Sequence, residues 1–298
     1  MKTIPQIDTA FIGGSSTFSL HYPEDLPSFK GEIIRENIVI NTPFGESPPF
    51  KIFTLDKDIE GKKIITCRMH GWRSGVTRAD ASRQIFWIFK EAGVRTILAE
   101  GGVGAVNHLL NTRDMIIPHD YMDFSMRKDV SLDSKYLLIM REALCPYLRE
   151  ILFKAAGKIT SRRIFERGIY VNTDGRHFES PAEINMFVHL KADIVGQSIC
   201  PEVYLAREIG ACYSGIYLVV NFAEGVVKDW EHKELRDIFY DDAVMMGEVI
   251  LQSLYLLLEN KGMEYGCNCA DLRKETLLRD GREECQYRGE KEKPQTDL

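Results

Sequence analysis

The chain has 298 residues, of which 44% are hydrophobic and 28% charged, a balance that supports a large core and excludes wholesale disorder. Its 38 basic residues against 44 acidic ones give a net charge of -6, the wrong sign for a protein that tracks a nucleic acid by bulk charge. No apolar run approaches the roughly 20 residues that span a bilayer, and the first residues contain no apolar signal segment. We therefore expect a cytoplasmic protein with no nucleic-acid partner and no membrane association.

Short β-branched apolar runs alternate with longer segments of helical period, a pattern typical of an α/β domain. A prior of about 150 residues per domain would allow two domains, but no linker rich in proline, glycine or serine divides the chain. We therefore predict a single α/β domain with a mixed sheet. The predicted strands are 9–13, 33–40, 50–55, 63–67, 95–99, 114–118, 168–172, 193–196 and 212–220. The predicted helices are 79–92, 134–156, 181–190, 201–209 and 233–260.

Apolar periodicity ends near residue 262, and the charged residues that follow are typical of a solvated appendage. We therefore predict a domain at 1–261 and a charged, cysteine-containing tail at 262–298. The seven cysteines form no dense framework, which favours a reducing compartment. A redox or metal role for Cys267, Cys269 and Cys285 stays open, but three thiols without an evident fourth ligand favour surface cysteines, so no metal site is predicted.

Three clusters of small and polar residues follow predicted strands. Gly13-Gly14-Ser15-Ser16-Thr17 could let backbone N–H groups and hydroxyls approach a phosphate, although Gly-Ser turns are common. Arg68 and His70 are two residues apart, so on an extended segment both could grip one oxyanion; the alternative is a surface arginine and a core histidine. Glu100-Gly101-Gly102-Val103-Gly104 forms the third turn. Together they predict one crevice at the strand ends, where α/β sheets bind ligands.

The segment before the third predicted helix combines a structural and a chemical signal. Ser180 and Glu183 have the spacing of a capping box, and Pro181 takes the first helical position. Phe178 and Glu179 lie just outside this helix, where an aromatic ring and a carboxylate could meet a planar heterocycle. The alternative is a hydrophobic staple beside a solvated acid.

Asn221 closes the last apolar strand. An asparagine there is either a turn former or an amide that reads a base. Upstream, Val195-Gly196-Gln197-Ser198 carries another strand into a helix that starts near Pro201.

In this order the motifs resemble the trimeric purine nucleoside phosphorylase and 5′-methylthioadenosine phosphorylase family, from about residue 11 to about residue 261. The resemblance implies a central mixed, partly barrel-like sheet flanked by helices, with active sites near the interfaces of a homo-oligomer, either a trimer or a dimer of trimers. It implies no metal and no organic cofactor. Inorganic phosphate is a co-substrate of the implied reaction. In some thermophilic relatives a C-terminal Cys-x-Cys is a disulfide.

Site roles follow from the same resemblance. The phosphate-binding residues are Ser15, Arg68, His70, Gly101 and Ser198; the base-binding residues are Gly102, Phe178, Glu179 and Asn221; and the ribose-binding residues are Tyr170 and Gln197. His70 and Asn221 are the catalytic residues. Gly175-x-x-Phe178-Glu179, Arg68-x-His70 and Asn221 match the 6-oxopurine branch, in which a carboxylate accepts N1–H of the base and an amide donates to O6 or N7.

The predicted reaction is phosphorolysis of a 6-oxopurine nucleoside to the free base and (deoxy)ribose 1-phosphate. A 5′-methylthioadenosine or 5′-methylthioinosine phosphorylase is the alternative, because 226–244 aligns too poorly to define the 5′ pocket. A non-catalytic nucleoside-binding paralogue is the second alternative. Two departures favour it: Gln197 replaces a methionine of the family, and Glu100 replaces an asparagine or threonine near the phosphate.

Overall fold

A mixed sheet of 11 strands forms the centre of the computed structural model, which describes residues 4–56, 63–259 and 266–276. The strands are β1 Thr9–Ile12, β2 Ile33–Ile38, β3 Asn41–Thr42, β4 Gly45–Glu46, β5 Phe50–Thr54, β6 Lys63–Cys67, β7 Thr96–Ala105, β8 Met115–Ile116, β9 Asp120–Asp123, β10 Tyr136–Leu138, β11 Ile164–Phe165, β12 Ile169–Asn172, β13 Ile194–Gly196, β14 Cys212–Phe222 and β15 Arg273–Glu275. The α-helices are α1 Arg78–Ala92, α2 Pro146–Ile159, α3 Pro181–His189, α4 Ile199–Ile209, α5 His232–Asp241 and α6 Ala243–Glu259.

The sheet runs in the order β11-β8-β14-β7-β1-β6-β5-β2. Its central strands β14, β7, β1 and β6 are parallel, while β5 and β2 continue it antiparallel. The far end of β7 also pairs antiparallel with β13, which leads to β12 and β9. The sheet divides at β7, which belongs to both branches. It contains parallel and antiparallel pairs, so the prediction of a central mixed sheet in an α/β fold is confirmed.

Helices cover the sheet on both faces. Apolar residues of α1 and α4 pack into one core cluster and those of α2 and α6 into another. β14 lies between them and is buried along its whole length, as expected for a parallel strand covered on both faces. No helix in the described part of the chain is long and apolar enough to cross a membrane.

The helix predictions hold where local signals are strong. The capping box of Ser180 and Glu183 is present at the start of α3, with Pro181 at its first position, and α1 and α4 lie where predicted. The helix predicted at 134–156 is wrong in its first part, because β10 pairs there with the distant β15 and α2 begins only at Pro146. The helix predicted at 233–260 is two helices. They part at the buried Asp242, whose Oδ1 accepts hydrogen bonds from two arginines.

Each predicted strand overlaps an observed one, but several short strands were not predicted. The larger error concerns 100–104, predicted as a turn, since β7 continues through these glycines to Ala105. Residues 266–276, from the predicted tail, pack on the rest of the chain through β15 and through Cys269 and Leu272, which are only 3% and 6% exposed. Cys285 and most of that tail lie outside the described residues.

Candidate active site

A cavity of about 230 Å³ opens at the carboxyl ends of the parallel strands, where ligands bind in α/β sheets. Nine of the predicted site residues line it: Ser15, His70, Gly101, Gly102, Phe178, Glu179, Gln197, Ser198 and Asn221. They come from six segments spread over more than 200 residues, and the fold brings them to one cavity. Tyr170 and Arg68 lie elsewhere.

The loop after β1 is held by a buried carboxylate. Glu100 is fully buried, and its carboxylate accepts hydrogen bonds from the backbone N–H of Gly14, the backbone N–H of Ser16 (3.0 Å) and the hydroxyl of Thr17 (2.7 Å). Burial raises the pKa of Glu100, and these hydrogen bonds oppose the rise. The backbone N–H groups that were predicted to bind phosphate therefore already donate to the Glu100 carboxylate. Ser15 is the residue of this loop that lines the cavity.

His70 carries a buried ion-pair partner. Its Nδ1 lies 2.8 Å from Oε1 of Glu202, and both side chains are almost completely buried. Tyr213 donates its hydroxyl to the other carboxylate oxygen of Glu202 (2.8 Å). Burial by itself lowers the pKa of His70, but the charge and hydrogen bond of Glu202, together with the charge of Glu100, raise it above the ordinary value. His70 can therefore present a cation to the cavity, with Nδ1 held and Nε2 free for a ligand.

Close backbone approach brings the phosphate-site groups together. A Cβ at Gly14 would lie 2.7 Å from Nε2 of His70, one at Gly101 would lie 3.7 Å from Oγ of Ser198, and one at Gly102 would lie 3.2 Å from Oγ of Ser15. Gly102 also donates its N–H to Ser15 (2.8 Å). Gly101 and Gly102 of β7 carry no side chains, so space remains between this strand and the hydroxyl groups of Ser15 and Ser198.

Arg68 does not share a face with His70. The predicted extended geometry is wrong, because Met69–Gly71 form a 3-10 turn in which His70 has a left-handed backbone (φ 52°). The Arg68 guanidinium instead donates to the carbonyl of Phe18 and lines a neighbouring cavity that also contains Gly14 and Thr17.

The predicted base-site residues Phe178, Glu179 and Asn221 also line the cavity, whereas Gly102, predicted for the base as well, lies beside Ser15. Glu179 is buried, and one of its oxygens accepts the Thr173 hydroxyl (2.6 Å). Asn221 is 4% exposed and lies next to an irregularity in the pairing of β14 with β7, where a bulge re-aims side chains. Phe178 is half exposed, and its ring packs against that of Trp230, with centroids 4.5 Å apart and the ring planes tilted by 54°.

The two predicted ribose contacts differ in position. Tyr170 is fully buried behind Ser198, with the two hydroxyl oxygens 3.3 Å apart. Gln197 lines the cavity, but its Oε1 accepts from Arg78 (3.0 Å) and its Nε2 donates to the carbonyl of His177 (3.2 Å). Burial lowers the pKa of Arg78 to about 10.

Sequence reasoning missed one wall of the cavity. Leu235 and Phe239 of α5 line it, one helical turn apart. A Cβ at Gly102 would lie 2.6 Å from the Phe239 ring, so this wall lies beside Ser15 and the anion-binding groups. The i, i+4 spacing of these two apolar residues could have indicated the wall. The sequence prediction placed both of them inside one long helix at 233–260 and assigned them no role.

Comparison with known proteins identifies the family. The model of the phosphorylase superfamily matches residues 22–254. A probable S-methyl-5′-thioinosine phosphorylase of Methanopyrus kandleri is 39% identical over 160 residues, which are 53% of this chain and 61% of that protein. A protein of the same description from Thermodesulfovibrio yellowstonii is 28% identical over 268 residues, covering 88% of this chain and 95% of that protein.

Two further comparisons extend the picture. A probable 6-oxopurine nucleoside phosphorylase of Dictyoglomus turgidum is 28% identical over 273 residues, covering 89% of this chain and 96% of that protein. The crystal structure of a methylthioadenosine phosphorylase from an antarctic soil metagenomic library has the same fold, with a TM-score of 0.72, 24% identity and coverage of 86% of this chain and 88% of that chain. The predicted resemblance is confirmed: the chain belongs to the phosphorylase superfamily and, within it, to the pentosyltransferase family of purine nucleoside and methylthioadenosine phosphorylases.

Proposed function

We propose that this protein catalyses the phosphorolysis of 5′-methylthioinosine to hypoxanthine and 5-methylthioribose 1-phosphate. The observation that carries the proposal is that one cavity is lined both by a carboxylate and an amide, Glu179 and Asn221, and by an apolar helix face. The first combination suits a 6-oxopurine, and the second suits a 5′ substituent without a hydroxyl.

The base end favours a 6-oxopurine because its hydrogen-bonding groups are complementary to that ring. Glu179 offers a carboxylate oxygen that can accept N1–H, and Asn221 offers an amide that can donate to O6 or N7. Both side chains are buried, so an unmatched base would leave polar groups without partners, which costs about 1–3 kcal/mol per group. Adenine carries an acceptor at N1 and is disfavoured beside the acceptor oxygens of Glu179.

The sugar end favours an apolar 5′ group. In a bound nucleoside the sugar lies between phosphate and base, so Leu235 and Phe239, which are beside the phosphate donors, face the sugar side. A methylthio group would bury apolar surface against this wall, whereas a 5′-hydroxyl would lose hydration there.

The phosphate end supplies the attacking group. We propose that His70, Ser15 and Ser198 hold the phosphate beneath C1′. A phosphate oxygen forms a bond to C1′ as the bond from C1′ to N9 breaks, and the electron pair of that bond leaves with the purine. Asn221 stabilises the charge that develops on the leaving purine. Positioning and electrostatic stabilisation carry the reaction, with no covalent enzyme intermediate.

We also propose a homo-oligomer, either a trimer or a dimer of trimers. Exposed apolar side chains support it: Met186, Val188 and Leu190 are 41–44% exposed on and just after α3. Phe124, 43% exposed, packs against Phe187 of the same helix. Light scattering coupled to size exclusion should give a mass of three or six chains, and a monomer at micromolar concentration would overturn this assembly.

The test is a panel of inosine, guanosine, adenosine, 5′-methylthioinosine and 5′-methylthioadenosine, each with and without phosphate. We expect the highest kcat/KM for 5′-methylthioinosine and release of base only when phosphate is present. A preference for inosine would point to an ordinary 6-oxopurine nucleoside phosphorylase, as in the Dictyoglomus relative. Binding without turnover of any nucleoside would establish the non-catalytic alternative.

The variant Asn221→Asp tests the base assignment separately. A carboxyl group at 221 can donate a proton to N7 of a leaving 6-amino purine, so we expect the ratio of kcat/KM for methylthioinosine over methylthioadenosine to fall by about tenfold, which is about 1.4 kcal/mol. Asn185→Asp, on the exposed surface of α3, makes the same chemical change away from the cavity. An equal ratio in both variants would contradict the role of Asn221.

A further inference from the structure

Four cysteines meet at the end of the sheet opposite the active site. Their Sγ atoms all lie within 4.8 Å of one another, and three of the four residues are buried. We call this group the cysteine cluster; its members are Cys145, Cys212, Cys267 and Cys269. They come from three separate parts of the chain, so their meeting is a property of the fold that spacing in the sequence does not reveal.

Fixed elements hold the cluster in place. Cys145 is the N-cap residue of α2 and donates its N–H to the carbonyl of Tyr213 (2.9 Å). Cys212 is the first residue of β14 and donates its N–H to the carbonyl of Arg95 (2.9 Å). Cys269 begins a 3-10 turn, and its carbonyl accepts from the buried Arg207 (3.0 Å).

We propose that the cysteine cluster binds one Zn²⁺ ion through four thiolates. A tetrahedral site with zinc–sulfur bonds of about 2.3 Å places the sulfurs about 3.8 Å apart, and the observed mutual limit of 4.8 Å and the 3.4 Å contact of Cys212 with Cys267 bracket that value. Soft thiolate ligands in a tetrahedral S4 arrangement select zinc over the hard cations Mg²⁺ and Ca²⁺. Four protein ligands leave no open position, so the ion is structural and takes no part in phosphorolysis.

The charges around the cluster suit such an ion. Four thiolates and one Zn²⁺ carry a net charge of -2, which needs nearby positive charge. Cys145 lies at the positive N-terminal end of α2, and the Arg207 guanidinium reaches the backbone of Cys269 and the carbonyl of Glu142. Carboxylates are absent from the ligand group, which distinguishes it from a calcium or magnesium site.

A bound ion would fasten the C-terminal segment to the domain. Cys267 and Cys269 belong to 266–276, whereas the other two ligands lie at the starts of α2 and β14. The competing chemistry is pairwise oxidation of the four thiols to two disulfides. The described cysteines are free thiols in this structure, and the absence of a dense disulfide framework predicts a reducing environment.

Metal binding by the full-length chain tests the proposal. The protein is reduced with a phosphine, freed of metal with a chelator and titrated without oxygen, first with Zn²⁺ and then with Co²⁺ as a spectroscopic substitute. We expect one ion per chain and, for Co²⁺, the intense visible and thiolate charge-transfer bands of a tetrahedral sulfur site. Failure of the reduced protein to bind Zn²⁺, or a weak octahedral cobalt spectrum, would overturn it.

Variants locate the site. Cys269→Ser should weaken zinc binding by more than about 100-fold, since loss of an outer-shell partner alone costs 10- to 100-fold. Cys67→Ala changes a buried cysteine outside the cluster and should leave the affinity unchanged. If Cys269→Ser does not fold, Cys267→Ser, at a less buried position, replaces it. Equal affinity of cluster and control variants would overturn the assignment, and because no nucleoside is present, the result is independent of the proposed activity.

Discussion

Glu100 is the residue at which this chain departs most from the expected phosphate site. A carboxylate close to a phosphate repels it unless the carboxylate points away or pairs with an arginine. The structure shows a third arrangement, in which the carboxylate takes the donors of Gly14, Ser16 and Thr17. It therefore stabilises the loop while adding a negative charge close to the anion site.

The variant Glu100→Gln should bind phosphate more tightly but fold less stably. Removing the charge should lower KM for phosphate by at least about tenfold, since like unit charges about 6–8 Å apart at an effective dielectric constant near 20 repel by about 2–3 kcal/mol. Loss of charge-assisted hydrogen bonds should lower the free energy of unfolding by about 1.5–3 kcal/mol. Steady-state kinetics and urea unfolding measure the two effects. Glu91→Gln, on an exposed position of α1, is the control, and a KM no lower than the control's would contradict competition with phosphate.

His70 should make phosphate affinity depend on pH. Because the pKa of His70 is raised in the folded protein, the ion pair with Glu202 is fully present below the unfolded value of about 6.5 and is lost as pH rises through the higher folded value. Its contributions to stability and to phosphate binding therefore both decline on the alkaline side.

Glu202→Gln should shift the alkaline decline of kcat/KM for phosphate to lower pH, because the neutral amide no longer favours the imidazolium. Measuring wild type and variant over the same pH range cancels the titration of phosphate itself. Superimposable profiles would show that His70 does not act as the cation of the site.

Much of the site could be predicted residue by residue, because short motifs carry it. Ser15 and His70 stand beside glycines, Asn221 lies next to the end of β14, and Glu179 directly precedes the capping box of α3. Glu202 could not be assigned as the partner of His70, since the two are 132 residues apart. The 3-10 turn that separates Arg68 from His70 could not be predicted either, because Met69 and His70 adopt a left-handed backbone although only Gly71 is of a type that favours it.

At the scale of elements, α5 supplies the apolar wall that the proposed 5′-methylthio group would contact. The sequence predicts one continuous helix at 233–260, because apolar residues continue in helical period through the junction. The buried Asp242, which Arg113 and Arg162 hold by ion pairs of 2.8 and 2.6 Å, separates α5 from α6. This break sets the direction of α5 and turns Leu235 and Phe239 toward the cavity.

Leu235→Asn should reduce the preference for a methylthio group. Loss of apolar contact with sulfur and methyl, at about 0.8 kcal/mol for each group of CH₂ size, predicts an approximately tenfold fall in the ratio of kcat/KM for methylthioinosine over inosine. Arg236→Asn, on the exposed side of α5, should leave the ratio unchanged. If both variants keep the wild-type ratio, α5 does not contact the 5′ group.

Elements that depend on distant partners could not be predicted. β10 and β15 are three residues each and exist because they pair with one another across more than 130 residues. β7 was predicted to stop before its glycines, since glycine weakens an isolated strand. Pairing with β14 along the whole of β7 sustains it through those positions.

At the scale of the whole molecule, residues 266–276 are attached to the domain by packing as well as by strand pairing. Leu272 is 6% exposed, whereas Lys274, two residues later, is exposed. Leu272 therefore behaves as part of a packed element, whereas Lys274 has the exposure expected of a solvated appendage.

Leu272→Ala should lower the free energy of unfolding by about 2–5 kcal/mol, the range for a leucine removed from a core, and Lys274→Ala by less than about 0.5 kcal/mol. Urea unfolding of reduced, metal-free protein measures both. Equal, small effects would show that the C-terminal segment contributes nothing to the stability of the domain.

β14 connects the cysteine cluster with the candidate active site. Cys212 begins the strand and Asn221 lies next to its end, which at roughly 3.3 Å per residue sets them about 30 Å apart. The cysteine cluster, which would attach residues 266–276 to the domain, and the proposed base site therefore lie at opposite ends of one buried strand. Because the two sets of residues do not touch, substitutions in the cysteine cluster can leave the chemistry unchanged. Substitutions that alter nucleoside specificity can likewise leave the cysteine cluster unchanged.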